Sequence, residues 1–365
     1  MKTTRLILVG GFLGAGKTTL LWEAARRLAA RGLRTGLITN DQAPELVDTA
    51  FLAHGGVKVA EVAGSCFCCN FQGLIDAMSK VRAEAEADVL IAEPVGSCTD
   101  LSATIVQPLK AGFRRELVTA PLSVLADPTR LAGLLDGGSA GLHPSAAYIL
   151  RKQLEEADIV LVSKSDQLSP AALTVLQQRT RQAFPEAAVL GLSAKTGAGV
   201  DAWLEAVTTR SDAGQRVVAV DYDVYAEGEA VLGWLNASIV LRGQAVDWNA
   251  FAERLLRELS RRFDERAAAV GHVKLMLSAA ESFLLANLTG SADTLSLRGS
   301  VLPGPEASLT LNARVEMSPE ALDAMVREVL AATCAEQVQA DVVAWRCLSP
   351  GRPRPTHRYD HVVPD

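Results

Sequence analysis

The chain has 365 residues, 49% hydrophobic and 21% charged, with a net charge of −6, a mean hydropathy of +0.17 and a pI near 5.5. At about 150 residues per domain, that length gives two domains with cores of their own. The acidic balance excludes a surface made to coat nucleic acid or an anionic membrane, no apolar run reaches the ~20 residues of a membrane span, and the chain reads as cytoplasmic.

Residues 1 to about 210 alternate short apolar runs with helical patterns. Strands are predicted at 5–9, 35–39, 57–62, 89–92, 122–126, 159–162 and 189–192. Several end on a polar or acidic residue: Asn40-Asp41, Glu93, Asp127 and Ser163. Continuous β-rich runs separated by helices predict an α/β fold, a mostly parallel sheet flanked by helices. Ligands of such sheets bind beyond the carboxyl ends of the strands. Lys2 and Arg5 ahead of the first run mimic a signal peptide, but the run continues into a glycine-rich motif with a better explanation.

That motif is Gly11-Phe12-Leu13-Gly14-Ala15-Gly16-Lys17-Thr18, the G-x4-G-K-[ST] pattern of a phosphate-binding loop between a strand and an amphipathic helix. Its glycines let backbone N–H groups face phosphates, and the helix N-terminus adds positive potential. Lys17 is expected to reach the β- and γ-phosphates, and Thr18, followed by Thr19, to ligate Mg²⁺. Further along, Ser163-Lys164-Ser165-Asp166 follows a predicted strand. Its aspartate can accept hydrogen bonds from the ring N–H and exocyclic amine of guanine, a donor pair that adenine lacks. Ser193-Ala194-Lys195 follows the next strand and matches the loop whose backbone contacts the guanine carbonyl in GTPases. The nucleotide is therefore read as GTP/GDP rather than ATP.

Of six cysteines, Cys66, Cys68 and Cys69 fall within four positions, a crowding that points to metal or thiol chemistry rather than a disulfide framework. They could supply thiolates to Zn²⁺ or another divalent transition metal. They could also pack as small hydrophobes or form a redox-sensing pair. Asp41, Glu45, His54, Cys98 and His143 are candidates to complete a metal site, and plain packing explains Cys98 equally well. Glu93 ends a buried strand and can hold the Mg²⁺ shell or orient the attacking water, and Gly96 would let a backbone N–H sense the γ-phosphate.

The polar stretch 208–216 reads as a linker between a domain over 1–212 and another over 217–348. In the second half, strands are predicted at 231–240, 272–277, 283–288, 309–315 and 341–345. Asp247 and Ser318-Pro319 begin two helices. The order is a split βαβ, ferredoxin-like α+β arrangement with one surplus strand or hairpin. Residues 349–365 hold four prolines and read as an extended or poorly ordered tail.

Residues 11–19, Asn40-Asp41, 64–69 (Gly-Ser-Cys-Phe-Cys-Cys), 93–96, 153–158 and 163–166 together resemble the CobW-like metal-handling GTPases, relatives of the nickel-insertion GTPases of urease and hydrogenase maturation. Ser65 stands where that family usually has glycine, Glu93-Pro94-Val95-Gly96 replaces Glu-Thr-Thr-Gly, and Ser163 replaces asparagine. These departures mark a divergent branch and leave the metal open. The resemblance implies a metallochaperone that hydrolyses GTP to GDP and phosphate. Its catalytic residues would be Lys17, Glu93 and Asp41, with Thr18 and Glu93 on Mg²⁺ and a transition metal on Cys66, Cys68 and Cys69. It implies a client metalloprotein or cofactor-biosynthesis enzyme as partner and leaves room for a nucleotide-dependent homodimer. The competing readings are a GTP-dependent regulatory switch without metal cargo and a small-molecule kinase, which the guanine motifs oppose.

Overall fold

In the computed structural model, which describes residues 3–41, 47–54, 57–280, 282–290 and 295–364, the apolar runs of the first half pair as one sheet. Its strands are β1 (Thr4–Gly11), β2 (Thr35–Asp41), β3 (Lys58–Ala63), β4 (Val89–Glu93), β5 (Leu117–Thr119), β6 (Ser123–Ala126), β7 (Ile159–Val162) and β8 (Ala188–Gly191). They lie in the order β3-β2-β4-β1-β6-β7-β8, with β5 beside β1. Every pairing described in this sheet is parallel. Strands β4, β6 and β7 are buried at every residue, which requires cover on both faces and explains their unbroken apolar sequences.

Along this part of the chain the helices are α1 (Lys17–Ala30), α2 (Val47–His54), α3 (Phe71–Ala85), α4 (Gln107–Gly112), α5 (Pro128–Leu135), α6 (Pro144–Glu156), α7 (Pro170–Ala183), α8 (Val200–Thr209) and α9 (Tyr222–Ala230), and α1, α3, α4, α6 and α7 pack on the strands. Because β1 has β4 on one side and β6 on the other, the chain reverses its winding direction there, and the crevice of such a sheet opens at the carboxyl end of that strand. The phosphate-loop motif begins at that end.

The second sheet is antiparallel: β9 (Gly233–Val246), β10 (Val270–Ala279), β11 (Ser282–Leu288), β12 (Ser296–Ser300), β13 (Gly304–Val315) and β14 (Val338–Leu348), in the order β12-β11-β10-β13-β9-β14. Without β11 and β12, the order β10-β13-β9-β14 is the expected ferredoxin-like arrangement, and those two strands are the surplus hairpin. Helices α10 (Trp248–Glu265) and α11 (Pro319–Cys334) supply its core. Phe251, Leu255, Leu259 and Phe263 recur at helical spacing and are fully buried with Leu322, Val326 and Val329. Asp247 and Ser318 cap the two helices, their side chains accepting from the Asn249, Ala250 and Ala321 amides.

One compact unit comprises Met1–Gln42, Leu52–Gly228 and Arg352–Asp365; the other comprises Ala43–Phe51 and Glu229–Gly351. Part of the stretch read as a linker is tied into the first unit, where the Asp158 carboxylate accepts from the Gly214 and Gln215 amides at 2.7 and 3.0 Å. No described helix is long and apolar enough to cross a membrane.

Close packing of β1 against β6 leaves no space at Gly11. Its φ is +130°, and a Cβ there would lie 2.4 Å from the Leu125 carbonyl oxygen. Gly11→Ala should therefore cost about 2–4 kcal/mol from backbone strain and overpacking combined, read as a lower urea midpoint at unchanged slope; an unaltered midpoint would show that β1 and β6 can separate freely.

Candidate functional site

The phosphate loop joins β1 to α1 through three glycines at positive φ: Gly11 at +130°, Gly14 at +77° and Gly16 at +95°. Only glycine adopts these conformations cheaply, and they let a loop turn its N–H groups to one side. Ala15 closes the turn, its amide donating to the Phe12 carbonyl at 3.2 Å. The buried Lys17 ammonium donates to the Gly11 and Phe12 carbonyls at 2.8 and 3.4 Å and lies 3.8 Å from Glu93. The Thr18 hydroxyl is 3.2 and 3.0 Å from the two Glu93 oxygens; Thr19 is half-buried on α1. Register explains the meeting: Leu8 pairs with Ala92, so Glu93 leaves β4 level with the start of the loop. Gly96 rides on the same loop, since a Cβ there would fall 2.6 Å from a Leu13 methyl and 3.1 Å from Lys17 Nζ.

Sequence reasoning missed Arg130. Its guanidinium donates to the Leu13 carbonyl at 2.7 Å and sits 5.3 Å from the Phe12 ring centroid, a cation–π contact that braces the phosphate loop. Asp127, a strand-end acid, has two other tasks. It caps α5 by accepting from the Thr129 and Arg130 amides, and it pairs with Lys164 at 2.9 Å. Burial pushes the Asp127 carboxyl up, but the Lys164 ammonium and the Arg130 amide and guanidinium together outweigh that and hold it below the ordinary carboxylate range.

The two base-reading loops lie side by side, the Ser165 amide donating to the Leu192 carbonyl at 3.1 Å. The Ser163 hydroxyl and amide both donate to the Ala126 carbonyl, and Lys164 takes a left-handed φ of 50°. Asp166 is exposed. Ser193 is buried and accepts from the Thr196 amide; Ala194 is half-buried and Lys195 exposed.

The cysteines sit on the loop between β3 and α3. Asn40, at the end of β2, holds that loop: its amide donates to the Val62 and Ser65 carbonyls at 2.7 and 2.8 Å, and its carbonyl accepts from the Phe67 amide at 2.8 Å. The chain then winds tightly, with the Cys69 and Asn70 amides on the Cys66 carbonyl. The thiols of Cys66, Cys68 and Cys69 lie within 4.8 Å of one another, with Cys66 2.9 Å from Cys68 and Cys68 3.8 Å from Cys69. Hydrogen bonds from Cys68 first, then from Cys69 and Cys98, hold the Cys66 thiol well below its ordinary value. Their bonds to Cys66 push both partners up, Cys68 well above its ordinary value and Cys69 to about 11. A tetrahedral zinc–thiolate site with ~2.3 Å bonds has sulfur–sulfur edges of roughly 3.8 Å, so this donor set fits a soft divalent metal after a small opening of the Cys66–Cys68 contact. Asp41 is buried at the end of β2, two residues beyond the level of Glu93. His143 instead caps α6 and bonds to Ser145. Glu45 and the side chain of His54 lie outside the described residues.

The loop after β4 is pinned along its length. Gln153 donates to the Gly96 and Cys98 carbonyls at 3.0 and 2.7 Å. The fully buried Glu156 carboxyl meets the Thr99 hydroxyl and the Ser102 amide at 3.1 and 2.8 Å. Asp100, at a left-handed φ of 65°, accepts from the Tyr222 hydroxyl at 2.7 Å and pairs with Arg358 at the same distance. The segment read as an extended or poorly ordered tail has defined partners. The Thr356 amide donates to the Cys68 carbonyl, the Arg354 amide contacts the Cys69 sulfur at 3.1 Å, and the His357 ring meets Phe71 edge-on at 5.0 Å. Prolines predict extended backbone but carry no signal for what that backbone will cover.

A family model described as "CobW/HypB/UreG, nucleotide-binding domain" matches residues 5–191, half of the chain. The chain is 31% identical over 185 residues to the zinc chaperone YeiR of Escherichia coli K12, covering 49% of this chain and 52% of that protein. It is 26% identical over 234 residues to the zinc chaperone CobW of Pseudomonas aeruginosa, covering 53% and 61%. The matches thus span little more than half the length of these two relatives. Among solved structures, HypB from Helicobacter pylori in complex with nickel aligns over 57% of this chain and 92% of that one, at 18% identity and a TM-score of 0.39. The Zn(II)-bound YjiA GTPase from E. coli aligns over 90% and 99%, at 17% identity and a TM-score of 0.34.

Burial raises the Glu156 carboxyl to about 8. Between its unfolded value and that figure the folded chain holds a proton that the unfolded chain has lost, so this group makes stability fall as pH rises, by roughly 1.4 kcal/mol per unit. Glu156→Gln keeps an acceptor for the Ser102 amide and cannot ionise. Its stability relative to the native chain should rise steadily from pH 5 to pH 8 in urea titrations, and parallel curves for the two proteins would refute the assignment.

Proposed function

This chain belongs to the CobW/HypB/UreG family, and from that premise we propose that it is a GTP-hydrolysing metallochaperone that carries a divalent transition metal, Zn²⁺ foremost, to a client metalloprotein or cofactor-biosynthesis enzyme. The observation that carries the proposal is the triangle of Cys66, Cys68 and Cys69 thiols within 4.8 Å, on a loop held by Asn40 from the strand next to β4. Three thiolates on one short loop leave a coordination position open, which suits a site that must give its metal away. The names of the relatives, zinc chaperones, support zinc as cargo. All six cysteines are free, in keeping with a reducing compartment such as the cytoplasm.

The residues of the phosphate loop fit a nucleoside triphosphate with Mg²⁺: three glycines at positive φ, a buried ammonium, and a hydroxyl and carboxylate already in contact. In this reading Lys17 neutralises charge at the β- and γ-phosphates, and Thr18 and Glu93 hold Mg²⁺, which when bound offsets phosphate charge during transfer to water. Gly96 carries the state of the phosphates into the loop that follows. Asp166 reads guanine, with Lys164 laid along the base and held there by Asp127.

Two measurements test this. Replacing Cys66, Cys68 and Cys69 together by alanine should abolish stoichiometric zinc binding and leave GTP affinity within roughly threefold, because the phosphate and base loops do not use those thiols. Zinc titrations in the GTP-analogue and GDP states decide it, and no zinc on the native protein would leave a GTP-dependent switch without cargo as the better account. Separately, the native protein should prefer GTP to ATP by at least about tenfold, and Asp166→Asn should move the preference toward xanthine nucleotides. Equal affinity for GTP and ATP would remove the base assignment.

A further inference from the structure

Arg130 stands between the two halves of the nucleotide site. It sits in the first turn of α5, which Asp127 begins. One Asp127 oxygen accepts from the Thr129 and Arg130 amides at 3.0 and 3.3 Å, and the other accepts from the Lys164 ammonium at 2.9 Å. The Arg130 side chain reaches the opposite way, to the Leu13 carbonyl and the Phe12 ring, both on buried residues of the phosphate loop. Lys17 already holds the Gly11 and Phe12 carbonyls, so three successive carbonyls of that loop each face a cation. Leu13 is also where the loop after β4 presses: a Cβ on Gly96 would lie 2.6 Å from a Leu13 methyl and 3.2 Å from the Leu13 nitrogen.

The peptide bond is planar and trans, so its carbonyl and N–H point to opposite sides. Fixing the Leu13 carbonyl on the guanidinium therefore aims the Gly14 N–H the other way, as a phosphate donor of such a loop must be aimed. The turn that carries Arg130 moves as a piece, because its cap ties two of its amides to Asp127. A displacement of Lys164 thus reaches Leu13 through Asp127, one short turn of helix and Arg130. We propose that Arg130 is a positioning residue for GTP hydrolysis and that, with Asp127, it makes the chemical step as well as binding depend on guanine. The proposal rests on the reading of Lys164 and Asp166 as the base-contacting residues. With guanine seated, Lys164 lies along the base, Asp127 is held, and Arg130 keeps the Gly14 donor aimed at the phosphates beside Gly96. A base that lacks one of guanine's donors leaves Lys164 and Asp127 less restrained, and the donor drifts. Misplacement by about 1 Å in a catalytic site can cost on the order of 100-fold in rate, so a small drift is enough to register.

The test uses the full-length protein and compares GTP with inosine triphosphate, whose base lacks the exocyclic amine, in affinity and in single-turnover hydrolysis at saturation. The native chain should hydrolyse GTP at least about fivefold faster than inosine triphosphate once both are bound. Arg130→Met keeps an apolar stem on Phe12 and removes the guanidinium. It should lower the saturated GTP rate about tenfold, leave GTP affinity within about threefold, and bring the two nucleotides' rates within about twofold of each other. Asp127→Asn keeps a side-chain acceptor for the helix cap and loses the charge that holds Lys164, so it should narrow the rate ratio in the same way. A merely structural arginine would slow both nucleotides by one factor. Equal saturated rates on the native chain, or an undiminished ratio in Arg130→Met, overturns the proposal, and a retained preference for GTP over ATP then leaves the base reading standing. Equal affinity for GTP and ATP removes the base reading and this proposal with it. If Arg130→Met fails to bind a fluorescent GTP analogue, the rate ratio in Asp127→Asn decides.

Discussion

The Glu93 carboxylate ends a fully buried strand with the Lys17 ammonium 3.8 Å away and the Thr18 hydroxyl on both its oxygens. A carboxylate withdrawn from water to this extent is tolerable only with a cation and a donor beside it, and removing one partner of such a buried pair typically costs about 3–5 kcal/mol. The parallel register of β1 and β4 delivers all three groups to the same level. The left-handed glycines are needed because the chain must turn from β1 into α1 within that level, and Gly96 is needed because the next loop must pass over Lys17. The path of the next loop, with Gly96 against Leu13 and Lys17, follows from where Glu93 has to be.

The polar groups beneath that loop form a second layer of constraint. Gln153, Glu156 and Asp158 all come from the end of α6 and the turn after it, and each holds backbone from elsewhere in the unit: the β4 loop for the first two, and the Leu122 amide and the 214–215 stretch for Asp158. Buried polar groups of this kind contribute modestly when satisfied and are costly when left unpaired, so they favour one arrangement of the loop over many. Asp100, strained at positive φ and held by Tyr222 and Arg358, belongs to the same layer. A loop held this way can shift between discrete arrangements more readily than it can loosen by degrees, which is the property a switch requires.

Much of this was legible from local signals. Fully buried parallel strands have no polar face, so their apolar runs stand out, and the phosphate loop is a contiguous motif whose glycines are dictated by backbone geometry. The caps at Asp247 and Ser318 were readable for the same reason, since a cap acts on amides two or three residues away. What sequence did not show depends on partners far along the chain. Strand β5 has three residues, and β12 is exposed throughout, so neither carries an apolar pattern. Arg130 looks like any first-turn helix arginine until the Leu13 carbonyl and Phe12 ring are placed against it. Cys98 read equally well as packing, because Gln153, which donates to its carbonyl, lies 55 positions further along the chain.

The contacts of 352–364 have a consequence for the order of events as the chain folds. The Arg354 amide and the Cys69 sulfur that it meets are separated by 285 positions, whereas the cysteine loop and the strands that hold it lie within the first hundred residues. Contacts between distant segments form late, because closing a long loop must precede any gain from the contact. During synthesis, at about 5–20 residues per second, the thiols therefore spend on the order of ten seconds or more beside their strands before the covering segment has been made. For that interval the cysteine loop lacks the backbone contacts that the finished fold supplies from Arg354 and Thr356.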